Sequence, residues 1–436
     1  MAFDSEEMKK RRAQRDQERK RQQARQRKMI LRLACAAVVL ALCGLVIFFV
    51  SRGGGSQPTV PTGSLSTLVP SQTVPVTQPP ETTVPEVTEP TTVIHLVAGG
   101  DLNVNDATVA AGGIGYSYDK VILDVAHLLA DGDISVMNFE GILDGEPYGS
   151  ENGSAPQQMA RALSNAGIDL LQAANSRSTS NGISGLTSTL QSIRAAGMEP
   201  LGAYATSREF QESGGYTIRE VSGIRIAFVA FTKGMGGMAL PAGSDDCVNL
   251  LYKDYSTTYQ DVDREGITSV LRTLEERESP DLVVAMLHWG SEYNDQISRT
   301  QTEIRNLLQQ NGVDAIIGTH SHYVQKMEFD EASGRFVAYS LGDFFSGALR
   351  AGTEYSVILD LEITRDNTSG KTKITNYSYT PIFTTTKEDG TMRVLRIKEA
   401  MEAYENNFLD RITREEYEDM AYALTRIEAR IHPDEE

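Results

Sequence analysis

Cysteine is scarce, at three in 436 residues, and two of the three, Cys35 and Cys43, lie inside one long apolar run. Only Cys247 remains for the rest of the chain, so no disulfide can form within it and its fold must rest on an apolar core. Histidine is scarce too, at six, and tryptophan occurs once. Several motifs are missing altogether: a Gly-x-Ser-x-Gly nucleophile elbow, a P-loop, a Rossmann glycine fingerprint and a thiol near a histidine. Their absence argues against serine-hydrolase, NTPase, dinucleotide-dependent and cysteine-nucleophile chemistry.

Basic charge is short after residue 52. Of the 41 Lys and Arg, 13 lie in residues 1–52 against 5 of the 59 acids, which leaves 28 bases, 54 acids and a net charge of −26 beyond them. So acidic a remainder does not attract nucleic acid or anionic lipid through its general field. The start of the chain is the opposite. Residues 1–28, with "KKRRAQRDQERKRQQARQRK", read as a solvated basic tail, attraction to a polyanion being the competing reading.

The run "MILRLACAAVVLALCGLVIFFV", 29–50, is interrupted only by Arg32. About 20 apolar residues match the thickness of a bilayer's hydrocarbon. The run exceeds the apolar core of a signal peptide, so it reads as an uncleaved single-pass transmembrane helix whose partner is the lipid bilayer; cleavage is the competing reading. The basic flank keeps the N-terminus cytoplasmic and sends the rest outside. Residues 51–92, rich in Pro, Thr, Ser and Val without apolar periodicity, read as an extended, disordered stalk.

From Thr92 the pattern changes. Short apolar runs recur in "TTVIHLVAGGD", "GDISVMNFEG", "GIDLLQAANS", "GIRIAFVAFT", "PDLVVAMLHWG", "VDAIIGTHSH" and "RFVAYSLGDFF". Continuous rather than alternating apolar residues indicate strands covered on both faces. Segments with helical spacing lie between them, several ending on glycine, so residues 93–395 are expected to form an α/β domain with a substantially parallel sheet or pair of sheets. After Phe345 the Thr- and Tyr-rich runs read as antiparallel strands closing a sheet edge, and residues 396–436 as a helical segment packed on the domain.

In such folds ligands gather beyond the carboxyl ends of the strands. Those ends carry Asp101, Glu140, Asn175, His288, His320, His322 and Asp343. Each has an ordinary reading by itself: Gly-Gly-Asp as a turn, Glu140 as a helix cap, His288 beside Trp289 as a satisfied core histidine. Together they point elsewhere. His-x-His on an extended chain presents both rings to one side, and carboxylate with imidazole suits Zn, Mn or Fe. One ion, or two about 3.5 to 4 Å apart, would hold an anionic substrate and lower the pKa of a bound water.

The order "GGD", "NFEG", "ALSNAGIDLLQAANS…NGISGL", "LHWGSEY", "GTHSHYVQKMEF" and "YSLGDFF", over about 95–350, resembles the CapA family of capsule and poly-γ-glutamate synthesis proteins. The resemblance implies a metallophosphoesterase-like sheet sandwich flanked by helices, and a cell-envelope polymer or its precursor as partner. It implies Asp101, Glu140, His288, His320 and His322 as metal ligands, with Asn103 a further candidate, Glu292 and Tyr293 lining the pocket and Gln325 behind it.

One motif departs. Where the family reads Asn-Asn-His and then Ala-Leu-Asp-Tyr-Gly, this chain has "NSRSTSNG". Aligned on Gly182, Ser176 replaces the ligating asparagine, Arg177 the histidine and Ser180 the aspartate. The family's "SLGNF" becomes "SLGDF", which brings in Asp343. Arginine cannot serve as a proton donor, but it binds carboxylate or phosphate in a fork. Three readings remain open here: a single-metal enzyme hydrolysing a phosphate or amide bond, an anion-binding pseudoenzyme serving as a binding or assembly module, and a two-metal site completed by Ser176 or water.

Overall fold

The computed structural model describes residues 90–347, 350–408 and 412–433. The apolar run at 29–50 and the Pro/Thr-rich stretch lie outside the described residues. Among the described residues no helix is long and apolar enough to cross a membrane.

The chain opens with four parallel strands laid side by side in sequence order: β1 (Thr91–Asn103), β2 (Ile134–Glu140), β3 (Leu170–Gln172) and β4 (Glu199–Leu201). It then builds a second sheet from β5 (Tyr216–Val221), β6 (Ile224–Thr232), β7 (Leu282–His288), β8 (Ala315–Thr319), β9 (Met327–Asp330) and β10 (Arg335–Ala338), in the order 5-6-7-8-10-9. β6, β7, β8 and β10 are parallel, and β5 and β9 close the edges antiparallel. Finally the chain returns to the first sheet. β11 (Asp343–Phe345) pairs with the end of β1, and β12 (Tyr355–Asp366), β13 (Thr372–Thr386) and β14 (Met392–Arg396) extend that sheet antiparallel from its other edge.

The single strand expected from "RFVAYSLGDFF" is thus two strands, one in each sheet. The step between them runs through Leu341, whose N–H donates to Gly318 of β8 at 3.1 Å and whose carbonyl accepts from Val357 of β12 at 3.2 Å. Gly342, at φ 79°, makes the bend. An unbroken apolar pattern does not reveal where a chain changes sheets.

Alternate residues explain the four layers. Ile94, Leu96 and Ala98 of β1 point inward to meet Phe228, Met286 and Ile317 of the second sheet. Val97, Met137 and Leu171 point outward, under helices Gln157–Ala166 and Gly182–Ala195. Val229 and Leu287 point outward on the other side, under helices Arg264–Arg277 and Arg299–Gln310. Both faces of each central strand are therefore apolar, as its sequence reads. Each fully buried side chain of this size contributes about 1.5 to 3 kcal/mol. The last two helices, Ile397–Glu405 and Arg414–Ile431, insert Ile397, Met420, Ala423 and Ile427 into the inner core.

Candidate metal centre

The Gly-Gly-Asp stretch is not a turn. β1 continues through it, with a register shift against β2 between Ala98 and Asp101. A bulge there re-aims the strand end, and glycine is needed because a Cβ on Gly100 would sit 1.9 Å from the carbonyl oxygen of Gly342. The same closeness lets Asp101 N–H donate to that oxygen at 3.0 Å. Beyond the bulge the ladder matches polar residues across strands: Asp101 with Asn138, Asn103 with Glu140, and Asp101 with Asp343 on the other side. Asn138 donates to Asp101 Oδ1 at 2.5 Å, and Asn103 to Glu140 Oε2 at 3.3 Å.

The histidines arrive from the second sheet. His288 ends β7, fully buried, and its Nδ1 lies 3.1 Å from the Thr232 hydroxyl of β6, which leaves Nε2 3.4 Å from Glu140 Oε1. His320 and His322 follow β8 with φ of 88° and 61°. Two consecutive alternate residues in the left-handed region are uncommon outside glycine, and such strain persists where the surroundings hold it. Here Asp101 Oδ2 accepts the His320 N–H at 2.8 Å, and Asp343 Oδ1 lies 2.8 Å from His322 Nδ1. The His288 and His320 rings are 4.2 Å apart.

Burial and mutual charge set the protonation states. Burial, aided by Glu140, lifts Asp101 to about 6. Burial would also raise Glu140, but His288, 3.4 Å away, with His322 and His320 behind, outweighs it and holds that carboxyl below its ordinary range. Burial and the neighbouring His288 push His320 well below the usual imidazole value. Burial opposes a proton on His322 as well, yet the Asp343 carboxylate prevails and raises it to about 10.

Two donor sets result, Glu140 with His288 and His320, and Asp101 with His322 and Asp343; within each set one ligand atom per residue lies within 4.8 Å of the others. All six residues are buried. His288 Nε2 and His320 Nδ1 are buried without a hydrogen-bond partner among the described residues. Orphaned buried imidazole nitrogens facing carboxylates are costly unless something binds them, and Thr232 orients the His288 ring, as Asp343 does the His322 ring, in the way that outer partners orient metal-ligating histidines. The residues present therefore fit one or two divalent ions.

The remaining residues singled out in the sequence divide. Ser176 joins the centre by donating its hydroxyl to Glu140 Oε1. Asn175 stands behind the centre: its Nδ2 donates to the Phe139 carbonyl at 2.7 Å and to Asn138 Oδ1 at 3.3 Å, and its Oδ1 accepts the Arg177 N–H at 3.0 Å. Arg177 is half-buried, with its Cδ over Gly153, where a Cβ would come within 3.3 Å. Tyr293 stacks on His322 at 4.9 Å. Glu292 is exposed and acts on the charge of Lys233 rather than lining the cluster. Gln325 braces from behind, donating to the Asn294 carbonyl at 2.8 Å. Ser180 faces Gly153, its hydroxyl without a hydrogen-bond partner among the described residues. Two contributors were not singled out. Asn138 stands two residues before Glu140, on the same strand face, and Thr232 closes an apolar strand as the other rim residues do, so both carried a signal.

A family profile described as "Bacterial capsule synthesis protein PGA_cap" matches residues 95–348. The capsule biosynthesis protein CapA of Bacillus anthracis is 26% identical over 264 residues, 58% of this chain and 59% of that protein. The PGA biosynthesis protein CapA of Bacillus subtilis (strain 168) is 23% identical over 219 residues, 50% of this chain and 53% of that protein. The matched region thus spans less than two thirds of either relative. Among solved structures, a calcineurin-like phosphoesterase from Bacillus subtilis aligns over 77% of this chain and all of its own, at 13% identity and a TM-score of 0.41. A putative 5'-nucleotidase from Staphylococcus aureus aligns over 69% of this chain and 57% of its own, at 14% identity and a TM-score of 0.44.

Proposed function

The chain belongs to the bacterial capsule synthesis family PGA_cap, and from that premise we propose that its centre is a divalent-metal site serving the synthesis or attachment of an anionic cell-envelope polymer. Glu140, His288 and His320 would hold one ion, and Asp101, His322 and Asp343 are placed for a second. A bound ion would polarise a phosphate or amide oxygen and supply a water of lowered pKa. The chain's own residues do the rest: Asn138, Asn103 and Ser176 fix the carboxylates, Thr232 and Asp343 fix the rings, and Arg177 presents a permanent cation to a substrate anion. With residues 29–50 as a membrane anchor, this reading puts the centre outside the cell, facing the polymer or its precursor.

The observation that carries the proposal is the convergence of three imidazoles and three carboxylates, all buried, with two ring nitrogens left unpartnered. Its test is direct. Purified full-length protein is expected to retain or take up Mn or Zn, by elemental analysis, and to gain thermal stability when either is added. Binding of an ion by the Asp101 set should weaken as the pH falls through about 6, where the metal-free Asp101 carboxyl takes up a proton and competes with the ion. No bound metal and no thermal shift at pH 7.5 would overturn the reading.

A second reading, a non-catalytic binding module built on the same fold, is favoured by one observation: Arg177 stands where a proton donor is expected, and it cannot donate. Arg177→Ala separates the two. In a hydrolase acting on a generic phosphodiester, loss of a ground-state anion contact raises KM by about tenfold with a smaller change in kcat. In a binding module the metal-loaded protein shows no turnover, and Arg177→His creates none.

A further inference from the structure

The family match ends at residue 348, and Arg350, beyond it, returns to the centre. Its guanidinium carbon lies 4.0 Å from the centroid of the Tyr293 ring, and the same ring stacks on His322 with 27° between planes. The short loop carrying Arg350 is pinned on both sides. The Thr353 hydroxyl donates to the Arg350 carbonyl at 2.8 Å, and the Tyr323 hydroxyl donates to the Ala351 carbonyl at 3.1 Å. Tyr293 is itself pinned. Its backbone sits at φ 54°, and its N–H donates to the Ser321 carbonyl at 2.8 Å, one residue before His322. Arg350 is exposed, and among the described residues it has no carboxylate partner.

An exposed arginine ordinarily samples many rotamers, and ordering it on binding costs free energy. Stacking on a fixed aromatic ring removes most of that cost beforehand and leaves the edge of the fork, with its N–H donors, free. The setting sharpens the point. Beyond residue 52 the chain carries a net charge of −26, which repels polyanions at long range. An anionic chain reaching this centre therefore depends on local cations at its mouth. Arg177 is one, next in the chain to Ser176, whose hydroxyl donates to Glu140; Arg350 is another, reached through Tyr293 and His322.

We propose that Arg350, seated on Tyr293, is a second anion receptor: it takes a carboxylate or phosphate further along the molecule whose first anionic group is held at the centre. The substrate then carries at least two negative groups, as an oligomer or polyanionic precursor does. The inference rests on the reading that the centre binds an anion.

The test is titration calorimetry on the full chain, supplied with Mn, using hexaglutamate and tripolyphosphate as oligomeric probes and glutamate and inorganic phosphate as single-anion references. Arg350→Ala is expected to weaken binding of one oligomer by about tenfold, the loss of one charge-assisted fork. Binding of the single-anion references and the Mn content should not change. The oligomer affected identifies the group as carboxylate or phosphate. Arg350→Lys should not restore the affinity, because an ammonium lacks the planar face that stacks. The proposal is overturned if Arg350→Ala binds both oligomers as the wild type does, or if the wild type binds neither oligomer more tightly than its reference. Should the wild type take up no Mn, the metal reading falls, and Arg350 is judged by the same oligomer comparison in the metal-free protein.

Discussion

Glu140→Gln is expected to abolish metal binding at the proposed centre. Glu140 is the point where the elements of the centre meet: β2 supplies it, Asn103 of β1 and Ser176 of the loop after β3 donate to it, and His288 of β7 faces it at 3.4 Å. The amide keeps the side chain's shape, so the neighbouring strands need not move, but the anionic oxygen that would bind the ion is gone. Replacing an outer partner of a metal ligand typically costs 10- to 100-fold in affinity, so loss of the ligand itself is expected to cost about a hundredfold or more. Metal titration of wild type and variant measures it. An unchanged affinity would place the ion elsewhere and remove Glu140 from the centre. The variant's unfolding midpoint without metal supplies the control, because a fall there would mean a damaged fold rather than a lost ligand.

Gly318→Ala should be among the most damaging single methyl groups near the site. A Cβ at Gly318 would lie 2.0 Å from the Tyr339 carbonyl oxygen and 2.5 Å from Trp289 Nε1. Neither can retreat cheaply. The Tyr339 carbonyl is backbone held between the sheets, and the fully buried indole donates to that same oxygen at 2.9 Å and stacks on the Tyr339 ring. Overpacking of this kind, with a buried hydrogen bond displaced, is expected to destabilise by about 3 kcal/mol or more. Denaturant unfolding measures the shift, and an unchanged midpoint would show that β8 and the Tyr339 segment are more widely spaced than described. Because His320 follows two residues later, metal affinity should fall with stability. In Glu140→Gln, by contrast, affinity falls while stability holds.

Much of this was legible in the sequence, and the reasons are local. Unbroken apolar runs announce strands covered on both faces, and the polar residue ending each run sits at the rim, because a strand emerging from a sandwich must meet either solvent or a site. Asp101, Glu140, His288, His320 and His322 follow from that rule, and the structure gathers them. What escaped was pairwise. Nothing in "NFEG" says that Asn138 will donate to Asp101, because that requires the register between β1 and β2. Nothing in "YSLGDFF" says that the chain changes sheets at Leu341, because both halves are equally apolar. The ordinary reading of Gly-Gly-Asp as a turn fails for a related reason: glycine pairs mark turns when nothing crowds them, whereas here they admit the Gly342 carbonyl into a continuing strand. Arg350 had no sequence signal at all, since its role depends on a ring 57 positions earlier in the chain.

The passage of the chain from β10 to β11 has a consequence for biosynthesis. Asp343 stands at the end of that passage, and its partner ladder begins at Asp101, so the donors are complete only once most of the polypeptide has been made and both halves have closed on each other. A nascent or half-docked chain offers scattered imidazoles and carboxylates with no shared cavity. An ion held by both donor sets would therefore be captured late in maturation rather than seeding it, and the loaded fraction of a preparation would report how much of it has assembled correctly.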